Sequence, residues 1–193
     1  MTHRASPPDR AVPRFSRLLT RAALSAALLA LPGFTAAQAP VIVPPTSYDE
    51  VSRLVRAKQF DEALNRAQAY LQTNPRDPQM RFLVGLAQDQ KGDKAAALET
   101  FTSLTQDHPE LPEPHNNLAV LHAAAGRYDE ARVALEAAIR ANPRYGVALE
   151  NLGDVYARLA ERAWRSAQSV DGANARLAPK LRAVQGVLDT PTR

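Results

Sequence analysis

The 193-residue chain has no cysteine and only one tryptophan. Without cysteine there is no disulfide framework, no thiolate zinc site, no cysteine nucleophile and no lipid-modified N-terminal cysteine. Aromatic residues are scarce, at 6% of the chain. A packed core must then rest on small and aliphatic side chains, and alanine, present 36 times, supplies them. The apolar stretch Ala22 to Leu31 is ten residues long. At 1.5 Å per helical residue it covers about half of a ~30 Å hydrocarbon layer, too little for a stable membrane anchor. The chain also lacks a glycine-rich phosphate loop, an HExxH pair and a serine in a nucleophile elbow. Its carboxylates, such as Glu99, Asp107 and Glu136, are scattered as on a solvated surface. No catalytic constellation emerges, so the expectation is a protein that is not an enzyme and needs no cofactor or metal.

What is present divides into two unlike parts. Residues 1–21 carry Arg4, Arg10, Arg14, Arg17 and Arg21 against one acid, Asp9. The apolar stretch follows, then Pro32-Gly33 and the small residues Thr35-Ala36-Ala37-Gln38-Ala39. This order of basic, apolar and small segments predicts a secretory signal peptide over 1–37. Cleavage after Ala37 is favoured over cleavage after Ala39, which would place Pro40 just past the bond. The full chain carries 24 basic and 20 acidic residues, a net charge of +4. The leader takes five of the basic residues and one of the acidic ones, so the remainder carries 19 of each. The case for a nucleic-acid partner goes with the leader. Residues 38–46, with Pro40, Pro44 and Pro45, read as an extended lead-in.

Beyond the lead-in a step of 34 residues governs the sequence. Asn74-Pro75, His108-Pro109 and Asn142-Pro143 keep it, as do Ala63, Ala97 and Ala131, and Lys58, Gly92 and Gly126. Asp61-Glu62-Ala63 matches Asp129-Glu130-Ala131. The blocks are 44–77, 78–111 and 112–145. Each divides into two helices: Leu83, Leu86 and Ala87, or Leu118, Leu121 and His122, fall on one helical face. Gly92 and Gly126 stop the first helix, Asp61 and Asp129 are placed to cap the second, and proline ends it. The inward face of the second helix reads Ala63, Ala67 and Tyr70, then Ala97, Phe101 and Leu104, then Ala131, Leu135 and Ala138. Small residues at Gly85, Ala119 and Gly153 let helices cross closely. A fourth block starts at 146, but no glycine turn follows. One long helix is expected over 146–170, then a capping helix over 174–189 with the apolar stripe Leu177, Leu181, Val184 and Leu188. The predicted fold is all-α: a right-handed helical-hairpin solenoid of three 34-residue repeats, a truncated fourth unit and a C-terminal cap.

With these residues the chain resembles the tetratricopeptide-repeat family over 44 to about 156. Where the family sets large core aromatics in the first helix, this chain has Arg81, His115 and Leu149, and later Gln88, His122 and Tyr156. His108, His115 and His122, spaced by seven, therefore read as a turn residue and two core histidines and not as metal ligands. The resemblance implies a concave face lined by first helices. Its candidates for holding a peptide are Tyr48, Ser52, Phe82, Leu86, Asn116, Asn117, Val120, Glu150, Asn151 and Asp154. Asn117 and Asn151 are 34 apart and resemble two rungs of an asparagine ladder that binds peptide backbone, since an amide offers both donor and acceptor.

Arg158, Arg162 and Arg165 share a helical face. They read either as an anion contact or as a surface ladder paired with Asp154 and Glu161. Trp164 is open to two readings, buried under the cap or exposed as a contact. The resemblance to short exported bacterial members implies a periplasmic adaptor or scaffold with a protein or peptide partner, and self-association is possible. The alternative is an envelope glycan or anionic-lipid recognition module using the arginine face.

Overall fold

The computed structural model describes residues 46–190. The leader read on 1–37, and the lead-in as far as residue 45, lie outside the described residues. Among the described residues there are eight helices and no strand. They are α1 (Ser47–Arg56), α2 (Phe60–Leu71), α3 (Pro78–Lys91), α4 (Lys94–Asp107), α5 (Pro112–Ala124), α6 (Tyr128–Ala141), α7 (Gly146–Val170) and α8 (Leu177–Leu188). Each helix packs on the next, and α1 also meets α3 and α5 meets α7. This is an all-helical hairpin solenoid, in which each hairpin buries its face against its neighbour.

Local chemistry sets the boundaries. Thr46 and Asp49 form a reciprocal capping box at α1. Pro78 and Pro112 stand at the first positions of α3 and α5, where a missing N–H costs nothing. Asp93 caps α4 by accepting from the Ala96 N–H at 3.2 Å. The caps expected at Asp61 and Asp129 are a correction: the N-caps of α2 and α6 are Gln59 and Arg127, neither of which makes a side-chain cap bond. The two aspartates lie one residue inside the helix, where their charge still opposes the positive end of the helix dipole.

The three turns at the 34-residue step share a left-handed residue: Lys58 (φ 58°), Gly92 (φ 99°) and Gly126 (φ 75°). Only the first carries a Cβ there. Replacing Lys58 with glycine is therefore expected to raise stability by about 0.5–1 kcal/mol, as relief of the left-handed strain exceeds the entropy cost of glycine. Urea denaturation of the two chains measures it.

The core forms where the second helices present their expected faces. Ala63, Ala67, Ala97, Phe101, Leu104, Ala131, Leu135 and Ala138 are all buried, with Tyr70 half-buried beside them. Gly85 is a true close approach: a Cβ built on it would lie 2.6 Å from Cε1 of Phe101. Gly153, expected to play the same part, does not. Among the described residues nothing lies within 4 Å of its Cβ position. The reason is α7, which runs unbroken through Ala160, the place 34 residues beyond the Gly126 turn. α8 then packs on α7, with Leu177 and Val184 buried and the Lys180 ammonium 5.6 Å from the centre of the Trp164 ring. Trp164 is half-buried there.

Candidate peptide-binding groove

The first helices of the hairpins line two hollows. One, of about 460 Å³, is formed by Tyr48 and Ser52 of α1, Pro78, Gln79, Phe82 and Leu83 of α3, and Leu111, Glu113 and Pro114 at the start of α5. The other, of about 330 Å³, lies between α5 and α7. Ala119, Val120, Ala123 and Ala124 of α5 and Asn151, Asp154, Val155 and Arg158 of α7 line it, with Tyr128 and Leu135 of α6. Both are lined mainly by apolar side chains with a few polar groups among them, the composition of a site that seats side chains and orients them.

Tyr48 and Phe82 thus share the first hollow, and Val120, Asn151 and Asp154 the second. Tyr48 is held by a network across three helices. Its hydroxyl lies 2.8 Å from that of Tyr70 and donates to the Asp77 carboxylate, which also accepts from Tyr70 at 3.2 Å and from the Met80 N–H at 2.9 Å. The bond to Asp77 pushes the Tyr48 phenol well above its usual range, because ionising it would set two anions together. Phe82 packs at a tilt on Phe101, ring centres 5.7 Å apart. Leu86 packs against the Phe101 cluster and lines neither hollow. Glu150 is exposed outside both.

The asparagines are arranged differently from a ladder. Asn151 donates to the Oδ1 of Asn116 at 2.8 Å, and Asn116 is the buried polar residue among those described. Asn117 donates to the carbonyl of Glu113 in its own helix at 2.9 Å. The pair that meets is 116 with 151, one residue out of the 34-residue register. Their bond ties the helices on either side of the second hollow.

The arginines are also paired. Glu161 binds Arg165 at 2.7 Å and Arg158 at 3.4 Å, and Arg162 reaches Asp129 of α6 at 2.7 Å. Asp154, expected to pair with Arg158, faces the second hollow instead. The hydrogen bond from Arg165 leads in holding the Glu161 carboxyl below its usual range. These residues border a hollow of about 450 Å³ with Tyr128, Ser166 and Ser169.

The histidines act singly. His115 Nε2 lies 3.1 Å from the Pro109 carbonyl. His122 Nδ1 accepts from Arg127 Nε at 3.0 Å, and burial, then the Arg127 charge, lowers its pKa. Among the described residues no group of three or more His, Asp or Glu is placed to hold a metal ion, and no helix is long and apolar enough to cross a membrane.

Two tetratricopeptide-repeat family profiles match this architecture, one over residues 48–112 and one over 90–159. The chain belongs to the tetratricopeptide-repeat family. That family is one of non-catalytic scaffolds for protein–protein interaction. Its solved members include YrrB, described as a TPR protein with an unusual peptide-binding site (27% identity, TM-score 0.50, covering 54% of each chain). A thermophilic TPR protein from Thermus thermophilus is 23% identical with a TM-score of 0.55, covering 74% of this chain and 81% of that one. MamA is 19% identical with a TM-score of 0.54, over 76% and 89%. Among curated proteins, the probable biofilm formation methyltransferase WspC of Pseudomonas putida is 34% identical over 91 residues, which is 47% of this chain and 22% of that protein. The tetratricopeptide chain thus spans 22% of this relative and 54% of YrrB.

Sequence reasoning missed the Tyr48–Tyr70–Asp77 network. Its three members fall on three helices, 22 and 29 residues apart, and no periodic signal joins them.

Proposed function

We propose that this chain is a non-catalytic adaptor that seats an extended peptide along its first-helix face, with side chains in the two hollows. One observation carries this reading: both hollows, about 460 and 330 Å³, are lined largely by residues of first helices, mainly apolar with a few polar side chains among them. The peptide-binding site in the description of YrrB agrees with it. Asp154, Glu113 and Gln79 supply acceptors for backbone N–H groups of the bound segment. The basic segment, the apolar stretch and the small residues of 1–39 support a reading of the adaptor as an exported protein of the bacterial periplasm.

A photo-crosslinking residue at Val120, which is 45% exposed in the second hollow, tests the reading in cells. The expected result is a discrete crosslinked partner peptide, absent when the crosslinker stands at Val133 on α6. With the purified partner peptide, Val120→Glu is expected to weaken binding about tenfold or more, since it sets a charge against an apolar side chain. Its melting temperature should stay that of the parent. Equal crosslinking at both positions sinks the groove assignment. The glycan and anionic-lipid reading draws no support from the arginines, because each already faces a carboxylate.

A further inference from the structure

α7 outlasts the first helices before it. α3 and α5 have 14 and 13 residues, and α7 has 25. α3 ends at Lys91 and α5 at Ala124, whose counterparts on α7 at the 34-residue step are Leu159 and Arg158. α7 therefore carries its groove face about three turns further. One row of that face holds Asn151, Asp154 and Arg158 and then Glu161, Arg165 and Ser169. The first three line the second hollow. Arg158 and the last three line the arginine-bordered hollow of about 450 Å³. Arg158 and Tyr128 belong to both, so the two hollows adjoin.

The charge changes sign at that border. Asp154 faces the second hollow. Beyond it three arginines, Arg158, Arg162 and Arg165, meet two carboxylates, Glu161 and Asp129. Arg158 and Arg165 share Glu161, and not equally. Arg165 donates from Nε at 3.0 Å and from Nη2 at 2.7 Å, whereas Arg158 donates from Nη1 at 3.4 Å. That contact is longer than the ~2.7–2.9 Å of a good charge-assisted bond. A guanidinium has five N–H donors. Arg158 thus keeps donors for a second carboxylate at the junction of the two hollows.

We propose, resting on the peptide reading of the groove, that the bound segment carries an aspartate or glutamate near its apolar anchor. The anchor sits in the second hollow and the carboxylate on Arg158, with Arg165 behind it. Asp154 repels an acid from the second hollow itself, and the surplus of guanidinium attracts it just beyond. From Asp154, α7 rises about 6 Å to Arg158 and about 16 Å to Arg165. An extended chain covers that span in about two to five residues, which sets the separation of acid and anchor.

The test starts from random nonapeptides displayed on phage and selected on the full chain. The selected sequences are synthesised and titrated by fluorescence anisotropy. The expected sequences hold an aliphatic residue with Asp or Glu at the stated separation, and their affinity falls as salt rises. Arg158→Gln should weaken such a peptide about three- to tenfold. It should leave unchanged the binding of the same peptide with Asn or Gln in place of the acid. Arg158→Glu should prefer the form with Lys in that place. An exposed ion pair of this length contributes little to folding, so both variants should melt near the parent. Val120→Glu reports on the groove separately. Peptides lost on Val120→Glu but without acidic preference, or indifferent to Arg158→Gln, overturn the proposal and leave the groove reading standing. Peptides indifferent to Val120→Glu, or no selected peptide, overturn both. Phosphatidylglycerol vesicles that bind the full chain and are released by Arg158→Gln would make a membrane the occupant and overturn the proposal as well.

Discussion

Replacing Phe101 with alanine is expected to cost about 3–5 kcal/mol, the usual price of emptying a fully buried aromatic site. Phe101 is 0% exposed, packs at a tilt against Phe82 and fills the space over Gly85. Against a typical total of about 5–15 kcal/mol this is a large share, and the thermal midpoint should fall by roughly 10 °C. The contact has a second, sharper consequence. Gly85→Ala alone should destabilise by about 1–3 kcal/mol, because its Cβ meets ring carbons at 2.6 and 2.8 Å. With Phe101 already alanine that clash is gone, and the same change should stabilise by about 1 kcal/mol through helix propensity. Chemical denaturation of the four chains closes the cycle. A Gly85→Ala effect of the same sign in both backgrounds would show that the ring contact does not decide it.

The second large effect is expected at Asp77. One carboxylate oxygen accepts from the Met80 N–H and caps α3, and the other accepts from Tyr48 and Tyr70, so the residue joins α1, α2 and α3. Asp77→Ala removes all of this and should cost about 2–3 kcal/mol, a lost cap plus lost hydrogen bonds to a charged group. The pH dependence follows from the same geometry. Burial alone would raise the Asp77 pKa, but the bonds from Tyr48, Met80, Tyr70 and Gln79 outweigh it and hold the carboxyl below its usual range. A depressed carboxylate contributes stability above the unfolded pKa of about 3.9 and loses it as pH falls through the folded value. Asp49 and Glu161 are lowered as well, so acid unfolding is not Asp77's alone. The measurement is therefore a difference. The parent should lose its advantage over Asp77→Asn as pH drops below about 4, while the gap stays flat from pH 5 to 8.

Much of the core was legible because the informative signals are local and repeated. Alanine at a constant step, glycine at two turns and proline just past the second helices each act within a few residues. Their meaning does not depend on distant partners. The site was less legible. Tyr48, Phe82, Val120, Asn151 and Asp154 line hollows, but Leu86 belongs to the core and Asn116 is committed to Asn151. A polar side chain on a first helix reads the same whether it faces a ligand or another helix. Only the approach of α5 to α7 distinguishes the two.

By itself, then, the sequence determined the helical hairpins, their turns and which side chains of the second helices face inward, because backbone sterics and the 3.6-residue period are properties of contiguous chain. The tertiary structure decided what each surface group meets. It gave Arg162 to Asp129, 33 residues away, and Glu161 to two arginines. It also separated two glycines that the repeat makes equivalent. Gly85 is closed because the chain turns at Gly92 and brings Phe101 back over it. Gly153 stays open because α7 does not turn, and whether a small residue is a crossing point depends on a second helix arriving.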